Sequence, residues 1–139
     1  MNIHPQLLED TIIIGKFALC HLLLMNDRNY PWFVLVPDRP NITEIHQLTV
    51  ADQNQLIAES SRLASTIANV FDADKINIAA LGNLVPQLHL HHIVRYKTDA
   101  AWPAPVWSKL AATPYTEDQQ KKIADKIRQA INMDHTHLR

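Results

Sequence analysis

The chain predicts an α+β fold built on an antiparallel sheet, and three observations carry that reading. Apolar, β-branched runs come in neighbouring groups with short joints between them. Two segments carry apolar residues at helical spacing, each opened by a capping pattern. The order of patterns is strands, helix, strands, helix, which suits an antiparallel sheet better than the regular alternation of a parallel one.

The elements follow in order. "TIIIGKF" (Thr11–Phe17) and "ALCHLLLM" (Ala18–Met25) read as two strands joined tightly near Gly15 and Lys16. "NDRNYP" (Asn26–Pro31) is a turn by composition, and "WFVLVP" (Trp32–Pro37) is a third, buried strand. Thr49 with Asp52 resembles a capping box, and Leu56, Leu63, Ile67, Val70 and Phe71 then form one apolar stripe of a long helix ending near Asp72. "KINIAAL" (Lys75–Leu81) is a fourth strand and "QLHLHHIVRY" (Gln87–Tyr96) a fifth. Residues 101–114 hold Trp102, Pro103, Pro105, Trp107 and Pro114, so they form an ordered loop and no regular element. Thr116 with Gln119 opens a C-terminal helix whose core face is Ile123, Ile127 and Ile131.

The 139 residues suit a single domain spanning 1–139, with 47% hydrophobic and 19% charged residues to build one core. A net charge of −1 argues against nucleic acid or an anionic membrane surface as partner. One cysteine, Cys20, rules out an internal disulfide and suits a cytoplasmic protein; it reads as buried and inert. The N-terminus is polar and acidic, unlike a signal peptide, and no apolar run reaches the length of a membrane span. Two glycines, Gly15 and Gly82, exclude a glycine-rich phosphate loop.

The chemistry concentrates in "PQLHLHHIVRY" (Pro86–Tyr96). Strand side chains alternate faces, so Gln87, His89, His91, Ile93 and Arg95 share one face. Leu88, Leu90, His92, Val94 and Tyr96 share the other. His92 therefore reads as a hydrogen-bonded core or interface residue. The His89–His91 pair admits three uses. It supplies two metal ligands, with His4, His21, His46 or Asp27 brought in by folding. It supplies a nucleophile and a phosphate holder. Or it is simply the wet face of a sheet. His135 and His137 lie in a charged tail with no assigned role.

"NLVPQLHLHHIVRY" resembles the signature strand of the histidine triad (HIT) superfamily, whose pattern alternates histidines with apolar residues after an upstream amide. Asn83 takes the amide position, Gln87 the first triad position, His89 the second and His91 the third. "WFVLVPDRPNITEIHQLTVAD" resembles the family's buried strand and entry to its long helix. "AWPAPVW" resembles the Trp-Pro segment that closes the site in one branch. The resemblance implies a five-stranded antiparallel sheet with one long helix and a C-terminal helix, usually as a homodimer. It implies a nucleotide hydrolase or nucleotidyl transferase that cleaves a nucleoside monophosphate from an amine, phosphate or acyl group. His89 would attack the α-phosphorus and form a covalent nucleotidyl-histidine. An imidazole of ordinary pKa, roughly 6.5, is mostly neutral at pH 7 and needs no strong base. His91 would contact phosphate oxygens, Asn83 would donate to a phosphate oxygen, and no metal or other cofactor is required.

Two departures stand out. Gln87 replaces the first triad histidine and cannot carry a proton to a leaving group. Trp32 stands where many members have a histidine, offering one N–H and an apolar face. Both reduce the ionisable groups near His89 and favour leaving groups that depart without help. By the same resemblance, Asn26 and Asp27 would contact ribose hydroxyls, and Trp102 and Trp107 would either wall the phosphate pocket or pack a loop. The competing reading is a catalytically decayed nucleotide-binding or partner-regulating module.

Overall fold

The computed structural model describes residues 2–132; the tail histidines His135 and His137 lie outside the described residues. Strands β1 (Thr11–Lys16), β2 (Cys20–Met25), β3 (Trp32–Pro37), β4 (Lys75–Ala79) and β5 (Leu90–Arg95) form one sheet in the order β1-β2-β3-β5-β4. Every pairing is antiparallel. β5 thus lies between β3 and the edge strand β4, paired to both.

Three helices flank the sheet: α1 (Pro5–Asp10), α2 (Val50–Val70) and α3 (Glu117–Ala130). Helices α2 and α3 are capped as expected, although at Thr49 only half of the box forms, since the Asp52 carboxylate pairs with Arg39. The Thr49 hydroxyl accepts from the Asp52 amide at 3.1 Å, and Thr116 and Gln119 form a reciprocal capping box. Residues 101–114 form an irregular loop, as their prolines require.

Several boundaries differ from the sequence reading, β4 ending at Ala79 and not Leu81, and one helix is additional. The joint between β1 and β2 falls at residues 17–19; Gly15 instead sits at a β-bulge opposite Leu22. The paired part of β5 begins at Leu90, so Gln87 and His89 lie on the extended approach to the ladder. Helix α1 is an addition: Pro5 begins it and the His4 ring accepts from the Gln6 amide at 3.0 Å.

The sheet is covered on both sides, so β3 and β5 are buried throughout. On one side Leu22, Leu24, Phe33, Leu35, Leu90 and Val94 meet α2 and α3. On the other, Leu23, Trp32, Val34, Val36 and Ile93 meet Ile3, Leu7 of α1, and Ala101 and Val106 of the proline-rich loop. This second, thinner cover is where the histidine pair lies. No described helix is long and apolar enough to cross a membrane.

Candidate active site

Alternation along β5 separates the histidines as expected. His92 is fully buried beneath α2, with Nε2 2.7 Å from the Ser60 hydroxyl and Nδ1 3.1 Å from the Leu90 carbonyl. Burial, partly opposed by the Leu90 contact, lowers its pKa to about 4, so it is a neutral core residue. His89 and His91 face the opposite side, their ring centroids 4.9 Å apart.

Two hydrogen bonds define the protons of this pair. His89 Nδ1 lies 2.7 Å from the Gln87 carbonyl. A carbonyl can only accept, so Nδ1 carries a hydrogen, and in the neutral ring Nε2 keeps its lone pair. His91 is the reverse case. Its Nδ1 accepts from the Trp32 indole N–H at 3.0 Å, so in the neutral ring the hydrogen is on Nε2. Trp32 and Trp107 both meet the His91 ring edge-on, at 5.6 and 5.1 Å between centroids. Burial foremost, with His89 and His92 adding repulsion, pushes the His91 pKa down to about 3. The pair therefore presents one bare ring nitrogen beside one neutral N–H donor.

Gln87 is engaged elsewhere. Its side-chain oxygen accepts from the His4 amide at 2.7 Å and its side-chain nitrogen donates to the Asn2 carbonyl. The first triad position thus ties the N-terminal arm across the start of the histidine strand. Asn83 is exposed on the loop before that strand, and its side chain makes no hydrogen bond among the described residues.

A cavity of about 270 Å³ is lined by Trp32, Trp107, Met25, Asn26, Asp27 and Val106, among others. Asn26 accepts from the Tyr115 amide at 2.9 Å. One oxygen of Asp27 accepts from the amides of Asn29 and Thr113, at 3.0 and 3.2 Å. These two residues therefore reach the cavity while also tying down residues 113–115. Trp102 is not one of this cavity's walls: its ring stacks on the Arg95 guanidinium at 5.6 Å, and Trp107 is the loop tryptophan beside the histidines.

Arg95 is the residue that sequence reasoning placed on the right face without giving it a task. It is 1% exposed and bonds Asp99 through two nitrogens, at 2.8 and 3.0 Å, with further bonds to Asn77 and the Ala104 carbonyl. It pins the proline-rich loop whose later part delivers Trp107. The signal was an arginine in an apolar strand with an aspartate four residues on. Among the described residues, no three His, Cys, Asp or Glu side chains gather in a way that could hold a metal ion.

The comparisons agree with this fold. The family model described as "HIT domain" matches residues 7–98. A histidine triad protein of Marinobacter aquaeolei VT8 is 48% identical, with 94% of this chain and 96% of that one covered and a TM-score of 0.92. A histidine triad protein of Bradyrhizobium japonicum is 44% identical over 94% and 97%, with a TM-score of 0.91. One from Sinorhizobium meliloti 1021 is 42% identical over 93% and 96%, also at 0.91. No curated protein matches the chain. With more than half of its length matched by the family model and relatives more than 40% identical over nearly all of it, the chain belongs to the HIT family.

Proposed function

We propose that the chain, acting as one domain, is a nucleotide hydrolase or nucleotidyl transferase that works through a covalent nucleotidyl-His89. One observation carries the reading. His89 Nδ1 is committed to the Gln87 carbonyl, so in the neutral ring the lone pair is on Nε2, beside the ring of His91 with its hydrogen on Nε2. That is what an attack on phosphorus needs: a lone pair, and a donor for the phosphoryl oxygens. The nucleoside is assigned to the cavity lined by Trp107 and Asp27, where the indoles supply apolar surface for a base and the Asp27 oxygen that makes no hydrogen bond among the described residues can accept from ribose hydroxyls. Asn83, exposed on the loop before the histidine strand, donates its amide to a phosphate oxygen.

A homodimer suits the sheet edge next to the histidine strand. β4 is an edge strand, and Ile78, Leu81 and Leu84 beside it are exposed, as is Ile57 on α2. An open edge with apolar neighbours is a surface that a second copy covers.

The test is intact-protein mass spectrometry with adenylylated and guanylylated amines and mixed anhydrides, for the wild type and His89→Ala. The expected result is a transient adduct of one nucleoside monophosphate in the wild type. His89→Ala shows none and loses turnover by roughly 10³-fold or more. Bound nucleotide without adduct or product would instead assign a decayed binding module, the reading that the committed Gln87 amide favours.

A further inference from the structure

We infer that the site selects leaving groups that depart as weakly basic anions, and that Trp32 is the positioning residue that enforces this choice. The inference rests on the nucleotidyl-transfer reading above and names its substrate class: a nucleoside monophosphate joined to a carboxylic acid as a mixed anhydride, in preference to one joined to an amine.

The argument is an account of protons. An indole N–H only donates, so the 3.0 Å bond from Trp32 fixes His91 Nδ1 as an acceptor. To become an imidazolium, His91 would need a hydrogen on Nδ1, where the Trp32 hydrogen already points. That would break the bond and set two donors against each other in a site walled by Trp32 and Trp107. His91 therefore lends a hydrogen bond from Nε2 without giving up a proton. Gln87, the other neighbour of His89 on this face, has no ionisable proton, and both ends of its amide are held by the N-terminal arm. Neither neighbour can protonate a departing group.

That decides between the substrate classes. An amine leaves phosphorus only after its nitrogen gains a proton, and losing a positioned acid costs about 10²–10⁴-fold. A carboxylate leaves with the bonding pair and needs none. In the step itself, the His89 Nε2 lone pair forms the N–P bond while the P–O bond to the acyl oxygen breaks. That oxygen keeps the electron pair and departs as carboxylate. Water then forms a new P–O bond, the N–P pair returns to Nε2, and the proton of water passes to solvent.

Two measurements test this. In protein labelled with 15N-histidine, long-range proton–nitrogen correlation is expected to show His91 as the neutral Nε2–H tautomer from pH 8 to pH 5. Trp32→Phe is expected to mix its tautomers, and Trp32→His, which can again donate a ring N–H, to restore the single form. A merely space-filling Trp32 would leave that signature unmoved in Trp32→Phe and overturn its assignment, as would an imidazolium or Nδ1–H form in the wild type. In parallel, acetyl adenylate and adenosine 5′-phosphoramidate, with their guanosine counterparts, are compared as substrates. The mixed anhydride is expected to turn over at least ~100-fold faster, and Trp32→Phe to slow it about tenfold. Equal wild-type rates on the two classes overturn the selectivity and leave the hydrolase reading standing. No product and no adduct from either class overturns both.

Discussion

The two faces of this sheet are built to different rules. Beneath α2 and α3, every polar insertion is satisfied. The buried Glu59 carboxylate accepts from the Leu19 and Cys20 amides at 2.9 and 2.8 Å and from Gln55 at 2.7 Å, and Ser60 meets His92. On the histidine face the accounting fails. Tyr30 Oη is buried without a hydrogen-bond partner among the described residues, and His21 Nε2 has only Asp38 Oδ1, 3.6 Å away and beyond hydrogen-bond length; both belong to that side. One face is optimised for stability, and the other keeps unspent hydrogen-bonding capacity, which is how a site differs from a core.

The largest expected effect tests the first rule. Leu63 is fully buried in the helix-side core, and Leu63→Ala should cost about 2–5 kcal/mol in urea unfolding, while its folded fraction keeps the His89 adduct. If the adduct vanishes while the protein is still folded, the two faces are more tightly coupled than this division holds.

Next comes acid. The pKa of His92, lowered to about 4 chiefly by burial, means that the unfolded chain takes up its proton first as pH falls. Stability contributed by neutral His92 is therefore complete above about pH 6.5 and is lost progressively towards pH 4, by about 3 kcal/mol. Urea midpoints measured from pH 8 to pH 4 should fall over that window, and His92→Gln should flatten the slope. His91, lowered to about 3, acts in the same direction from the other face and leaves the variant a residual slope.

What the sequence made legible follows from local periodicity. The two-residue alternation through Leu88–Tyr96 separated His89 and His91 from His92, and the 3.6-residue spacing with its caps located α2 and α3. Helix α1 escaped because six residues are too few to show a period; it is held by Leu7 against the sheet. The tasks of Gln87 and Trp32 escaped for another reason. Their partners lie 83 and 59 residues away in sequence, and a side chain's hydrogen-bond partner at that distance is set by the fold alone. Trp102 and Trp107 share a proline-broken loop without a period, so only the fold could say which faces His91.

Smaller effects sharpen the comparison at the approach to the histidine strand, where Gln87 and Asn83 carry similar amides four residues apart. Gln87→Ala removes two bonds to the arm and should lower stability by about 1 kcal/mol, with faster hydrogen exchange in residues 2–10. Asn83 is exposed and its side chain makes no hydrogen bond among the described residues, so Asn83→Ala should leave the unfolding midpoint within about 0.5 kcal/mol. Yet an amide that meets only substrate supplies one hydrogen bond in the reaction, and its loss should lower kcat/KM by about tenfold. The two variants separate an amide spent on holding the scaffold from one kept in reserve for the ligand. Destabilisation by Asn83→Ala without a kinetic change would place that side chain with the scaffold and leave the phosphate to the histidine pair alone.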